Sequence, residues 1–537
     1  MNNAADAIVS AARVHTMGES TAADAVAIAA GRVIGVGARD RLVEAFAGPD
    51  TRSLHFPGAT IVPGLVDAHT HPIYSLGIVR GASLVGITGY DQLVAALEAA
   101  APAQAGSEWF FAWGLDPNAF DGRPIGNQVL HDVLGPDRPA YVKLFDAHSA
   151  VASSAALERA GITRPFTDDS GASVVDDGSG GLSGHLLEFP AMDIVEAVLP
   201  VRTFDDRVRQ LHELLGTMAA RGVTSTHVMD LKDADALDLL AELERRGDLP
   251  VRLRLAPWCE PGTSDDDLEE LVALQGRGGR RFRVEGIKLF IDGTVEGGTA
   301  WLDTPDADGE GTASTWADPD AYAARIRFFH AHGIATATHA IGERGIRFVA
   351  ETLAALPPPG PRHRIEHIES VDGDVIERMA ASGIAASMQP THCTQHVWPD
   401  GSDDWSRRLG PDRARRAWLT ADVRRAGGIL ALGSDWPVAD FDPWPIMADA
   451  RLRRPVDEPG SAPIRADQAL SAREALEGYT THAHRSVDSD GGTLEVGAVA
   501  DLAVVDTDPL TATPEQVAHT SVLLTLVEGR PTHEAAQ

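Results

Sequence analysis

The stretch GIATATHAIGERGIRFVAETLAALPPPGPRHRIEHI, residues 333–368, contains the unit that defines the architecture. ATATHAI (335–341) reads as an apolar strand, and GERGIRFVAETLAAL (342–356) carries a helical pattern. The loop PPPGP (357–361) then leads to a second strand, HRIEHI (363–368). The same alternation continues on both sides. LVDAHTH (65–71), GVTSTHV (222–228), VRLRLAP (251–257) and VEGIKLF (284–290) precede it, and GIAASMQ (383–389) and GILALGS (428–434) follow. Helical patterns such as DADALDLLAELERRG, DPDAYAARIRFFHAHG and DGDVIERMAASG lie between them. Several have Asp near the start and Gly at the close, as helix termini prefer. Eight strands with intervening helices predict an α/β chain built as a (β/α)8 TIM-type barrel. An open doubly wound sheet would need a Gly-rich phosphate turn after its first strand, and none is present.

Two regions lie outside that repeat. About 150 residues separate the first strand from GVTSTHV, far more than one βα unit needs, so an inserted subdomain is expected over about 75–220. Both chain ends are rich in short strands: AIVSAARVHTM and AVAIAAGRVIGVG at the start, TLEVGAVADLAVVDTDPL and SVLLTLVEGRPTHEA at the end. We therefore expect a small β-sandwich domain from residues 1–62 and 486–537, around a barrel over 63–485.

Composition excludes several functions. Of 537 residues, 46 are Lys or Arg and 78 are Asp or Glu, a formal charge of −32. That field repels phosphate backbones and anionic membranes, so no nucleic-acid or membrane partner is expected. The 2 cysteines, Cys259 and Cys393, cannot staple a chain this size and form no CxxC pair. The start MNNAADAIVSAARVHTMG has Asp6 and no basic region, and no apolar run of about 18 residues occurs. The expectation is a cytoplasmic protein acting on a small molecule, with a homodimer as the default assembly.

The chemistry is read from the strand ends. His69 and His71 lie two apart at the end of the first strand, so both imidazoles face one side. Lys288 lies on the fourth strand, and His339, His367 and Asp435 end the fifth, sixth and eighth. That rim is where barrel enzymes place catalytic groups. A lone His in a strand is more often a hydrogen-bonded core residue; an HxH pair joined by two more His and an Asp points to a metal. Buried Lys288 would lose its charge, and the neutral amine can take up carbon dioxide to form an anionic carbamate that bridges two ions. The alternative for Lys288 is an ion pair with an acid such as Asp292. His392 and His396 stand at i and i+4 after MQP, and His392 is placed as a substrate contact. Trp109, Phe110, Phe111, Trp113 and Phe120 form either core of the insert or an apolar pocket wall.

In this order the segments resemble the amidohydrolase superfamily, in its YtcJ-like branch (amidohydrolase family 3), which includes N-substituted formamide deformylases. The resemblance rests on PGLVDAHTHP (63–72), KLFDAHSAVASSAAL (143–157), GHLLEFPAMDIV (184–195) and IKLFIDGTVEGGTA (287–300). It continues through THAIGERG (338–345), RIEHIE (364–369), SMQPTH (387–392), GSDWPV (433–438) and VGAVADLAVVDTDPL (496–510). It implies one or two divalent ions, usually zinc. His69, His71 and Asp435 would hold the first, His339 and His367 the second, and Lys288, carboxylated, would bridge. Asp146, His148, His185 and Glu188 match family motifs; His148 and Glu188 are implied as substrate contacts, or else belong to a polar cluster stabilising the insert.

The expected reaction is hydrolysis of a non-peptide C–N bond, an amide or formamide, by a metal-bound hydroxide. Asp435 would accept the water proton and return it to the leaving amine. The alternative is another reaction on the same metal barrel: deamination, ester hydrolysis, decarboxylation or cyclisation. A non-catalytic binding protein is the third reading, against which stands the full ligand set.

Overall fold

The computed structural model describes residues 4–19, 22–168 and 171–536. The first three residues of the N-terminal segment read above lie outside it. A strand occupies each of the eight predicted segments, the second running three residues past its own. They are β1 (Leu65–Thr70), β2 (Val223–Leu231), β3 (Arg252–Pro257), β4 (Ile287–Phe290), β5 (Thr336–Ala340), β6 (Arg364–His367), β7 (Ala385–Met388) and β8 (Leu430–Leu432). β1, β2 and β3 pair in parallel, as do β4 through β8 in chain order. Two parallel bridges link the sets: Trp258, just after β3, pairs with Lys288 of β4, and Thr70 of β1 pairs with Trp436 after β8.

Every residue of β1 and β2 is buried, as expected for parallel strands covered on both faces. The helices explain that cover. Glu343–Ala354, between β5 and β6, turns Ile346, Val349, Ala350 and Leu353 inward, an i, i+3, i+4, i+7 stripe. Asp318 caps Pro319–Ala331 by accepting from the Asp320 N–H. One expected strand breaks in two: VEGIKLF contains the end of Phe282–Val284 and the whole of β4, because Gly286 at φ +113° interrupts the run. The Gln275 side chain satisfies the backbone there, accepting from Gly286 N at 2.8 Å.

Close approach of β8 to β1 depends on a glycine. A Cβ on Gly433 would lie 2.6 Å from the backbone nitrogen of His69, a distance real contacts do not reach. Gly433 thus lets GSDWPV lie against DAHTH. The Asp435 N–H then donates to His69 O at 2.8 Å, and the His71 N–H to Trp436 O at 2.9 Å.

Seven strands from both chain ends share one sheet, ordered Arg530–Glu534, Val522–Val527, Leu502–Val505, Arg52–Pro63, Ala7–Val14, Ala25–Ala29, Arg32–Gly37. The sequence led us to expect a small β-sandwich from both chain ends. The hydrogen-bonded ladder joining those ends runs unbroken, because the 12-residue strand Arg52–Pro63 pairs with Ala7–Val14 on one side and Leu502–Val505 on the other. Between β1 and β2 the insert forms a second seven-stranded sheet, whose strands lie between Ala82 and Leu187. Trp109, Phe110, Phe111 and Phe120 are buried within it, which settles them as core. Among the described residues no helix is long and apolar enough to cross a membrane.

Candidate active site

β1 and the turn after β8 bring three donor atoms together. His69 Nε2 and His71 Nε2 stand 3.2 Å apart, and Asp435 Oδ1 lies 3.4 Å from the first and 3.0 Å from the second. The tautomer of His69 is set from behind. Its Nδ1–H donates to Glu366 Oε2 at 2.6 Å, so Nε2 presents a lone pair to the cluster. Glu366 is itself fully buried and accepts from Arg364 Nε at 2.6 Å, while Arg364 Nη2 donates to Ala68 O at 2.6 Å. Burial, with Lys288 next in effect, holds His69 well below the usual imidazole range, so it stays neutral. For Asp435 burial pulls upward, but the neighbouring His69 and His71 outweigh it and keep the carboxyl well below its usual range. Two nitrogen lone pairs and one carboxylate oxygen, buried and converging, suit a divalent ion such as zinc.

The backbone is held in rare conformations at these positions. Asp435 has φ +60°, His367 +73° and Ile368 +55°. Non-glycine residues in the left-handed region cost about 1–3 kcal/mol each and persist where surrounding structure enforces them. Here they aim the β6 and β8 side chains at β1.

A second grouping shares Asp435. Its Oδ2 lies 3.7 Å from His367 Nδ1 and 3.8 Å from His392 Nε2. The sequence paired His367 with His339 here and placed His392 on the substrate. His339 is close, its ring centroid 4.5 Å from that of His367, but its Nε2–H donates to Gly293 O at 3.0 Å. His392 Nε2 has no hydrogen-bond partner among the described residues. His367, His392 and Asp435 thus lie close enough to share an ion, with His339 beside them; His367 Nδ1 donates to Gln389 Oε1 at 2.9 Å, as His339 does to Gly293 O.

Lys288 is completely buried, and its Nζ has no hydrogen-bond partner among the described residues. The ion pair with Asp292 does not form. The Asp292 carboxylate is occupied by the backbone N–H groups of Trp301, Ile341 and Gly342, at 2.9, 3.1 and 2.8 Å. Burial lowers the Lys288 amine to about 8, against the opposing pull of Glu366 and Asp435.

These groups open into a pocket that leaves a cavity of about 50 Å³, room for a few water molecules. The insert supplies part of its wall, including Phe145, Asp146, His148 and Phe189, while Trp258 just after β3 and Phe290 of β4 add to it. His148 Nδ1 pairs with Glu188 Oε2 at 2.9 Å, and the Thr299 hydroxyl donates to Glu188 Oε1 at 2.6 Å. Burial alone would lower His148, but Glu188 and then Asp146 raise it above the usual range. His148 lines the pocket; Glu188 stands behind it, at φ +64°. His185 is not among the lining residues.

Sequence reading overlooked Glu366 and Arg364. Both lie in the RIEH motif, where only His367 was singled out. Two charged residues at alternate positions of a short buried strand were the available signal, since buried charges need partners.

The sequence profile of the Amidohydrolase family matches residues 57–533. Bacillus subtilis YtcJ is 28% identical over 525 residues, 96% of this chain and 97% of that protein. The N-substituted formamide deformylase of Arthrobacter pascens is 27% identical over 559 aligned positions, covering 98% of each chain. Among solved structures, an uncharacterized metal-dependent hydrolase from Pyrococcus horikoshii OT3 superposes with TM-score 0.71 at 23% identity, over 95% of this chain and 99% of the other.

Proposed function

The chain belongs to the amidohydrolase family, and from that premise we propose that it is a metal-dependent hydrolase of a non-peptide C–N bond, an amide or formamide, in a small molecule. The observation that carries the reading is the convergence of His69 Nε2, His71 Nε2 and Asp435 Oδ1 at the floor of a buried pocket. We read the two parallel strand sets and their bridges as a (β/α)8 barrel over 63–485, with the terminal sheet as a separate small domain. The likeness to the formamide deformylase along the whole chain supports amide or formamide as the substrate class.

His69, His71 and Asp435 would hold one divalent ion, with His367, His392 and nearby His339 available for a second and carboxylated Lys288 between them. Such an ion, zinc by its donor set, lowers the pKa of water toward about 7 and polarises a carbonyl. The protein's own part follows from the geometry. Glu366 keeps the His69 proton on Nδ1 and so keeps Nε2 as a donor atom. Asp435, ionised between His69 and His71, has Oδ2 within reach of the pocket and accepts the proton of the attacking water. It then returns that proton to the leaving nitrogen. Phe189, Trp258 and Phe290 pack against one another beside His148 and keep bulk water from that face of the pocket.

The test is metal analysis of the purified protein, followed by a panel of N-formyl and N-acyl amines. His71→Ala should lose metal and turnover together while its circular dichroism is retained. Full turnover in a metal-free His71→Ala protein would sink the mechanism.

A further inference from the structure

His396 ends the short helix Pro390–His396, four residues beyond His392, a rise of about 6 Å along the axis. It lines the same pocket and belongs to neither His/Asp grouping. Two contacts fix its ring, and a third fixes its partner. Its Nδ1–H donates to Asp116 Oδ2 at 3.1 Å. Asp116 is buried, and its other oxygen accepts from the Asn118 N–H at 2.8 Å, so the carboxylate cannot turn. The imidazole lies flat on Phe145, with centroids 3.6 Å apart and planes 15° from parallel. With the proton held on Nδ1, Nε2 is a lone-pair acceptor. That atom is buried and has no partner among the described residues.

A buried acceptor without a donor is costly, and a rigid one in a pocket wall is built for a ligand. Asp146, Glu296 and Glu369 line the same pocket, beside the donors Tyr74, His148 and Lys288. We infer that His396 Nε2 accepts a hydrogen bond from the N–H of the scissile amide, so that the enzyme selects N–H-bearing amides over isosteric esters. The inference rests on the amide-hydrolase reading and names a residue that would decide specificity within it. A site built to bond a substrate N–H discriminates strongly against the analogue lacking it, because the acceptor is then left unpaired.

The probes are N-benzylacetamide and its isostere benzyl acetate, measured in two ways. Calorimetric binding to the metal-free protein reads recognition without chemistry; turnover by the metal-loaded protein reads the reaction. Wild type should bind the amide about tenfold more tightly than the ester. His396→Phe keeps the stack on Phe145 but removes both nitrogens, and should bring the two probes within about threefold. Asp116→Asn gives an independent route. Its carbonyl stays on the Asn118 N–H, so its NH2 faces Nδ1 and forces the His396 proton onto Nε2. The amide preference should vanish there too, and this variant carries the test if His396→Phe does not fold. A wild type that binds neither probe or shows no preference overturns the inference, and so does a preference that survives both substitutions. Absence of turnover across the amine panel, with the binding preference intact, overturns the hydrolase reading alone.

Discussion

Lys288 is a buried amine over the Phe290 ring at 4.8 Å, with no hydrogen-bond partner among the described residues, at a position where a charge is expensive. Its folded pKa is about 8, below the ordinary 10.5. A depressed folded value means the group's favourable contribution is present above pH 10.5 and is lost as pH falls through 8. In the metal-free protein Lys288 therefore destabilises most at and below neutral pH, by at most about 3 kcal/mol. Lys288→Met, similar in length and uncharged, should stabilise the chelated protein at pH 7 and lose that advantage by pH 10.5. Urea unfolding of both proteins with chelator at the two pH values measures it. A Lys288→Met protein no more stable than wild type at pH 7 would show that the amine finds a partner in solution. The same substitution would also remove the proposed carbamate, and on that proposal turnover should fall at least tenfold with metal supplied.

The strand ends carry the site because each is held by its neighbour, and Gly433 is the tightest such contact. Gly433→Ala would push β8 from β1 or tilt His69, since the added carbon meets the His69 nitrogen at 2.6 Å. Overpacking of this kind costs about 1–3 kcal/mol. The expected outcome is a lower melting temperature together with weaker metal retention in equilibrium dialysis; a melting shift with metal affinity unchanged would mean β8 moves without His69. Much at this level was legible in the sequence. Alternation of apolar strands with capped helices located all eight parallel strands, and HTH, RIEH and GSDWPV marked the residues that meet. What was not legible depends on contacts between distant segments. Glu366 orients His69 across 297 residues, and Asp116 of the insert fixes His396 across 280. Neither spacing leaves a local pattern. That His392, read as a substrate contact, also comes within 3.8 Å of Asp435 was not legible, because the direction of the helix after β7 is set by packing, not by the period of MQPTHCTQH.

Across the whole chain, three sheets enclose one buried set of charges: Asp435 and Lys288 at the cluster, and Glu366 with Arg364 behind it. The insert closes one side of the pocket through Phe145, Asp146 and His148, so the site is assembled from segments more than 280 residues apart. The proposed ion, held by β1, β6 and β8, would tie these segments together only in the folded state. Ligands that bind the native state alone stabilise it by RT ln(1 + [L]/Kd), about 4 kcal/mol at a thousandfold excess over Kd. In a chain this large each kcal/mol moves the melting temperature by roughly 1 °C. Chelation should therefore lower the main unfolding transition by several degrees, and adding zinc back should restore it in proportion to the logarithm of free zinc. The Asp435→Asn protein is the control: it keeps the shape but loses the shared carboxylate, so its transition should barely respond to chelator or to zinc. A wild-type transition that stays put after metal analysis confirms complete removal would mean that the cluster is held by its own hydrogen bonds. The ion would then serve chemistry alone.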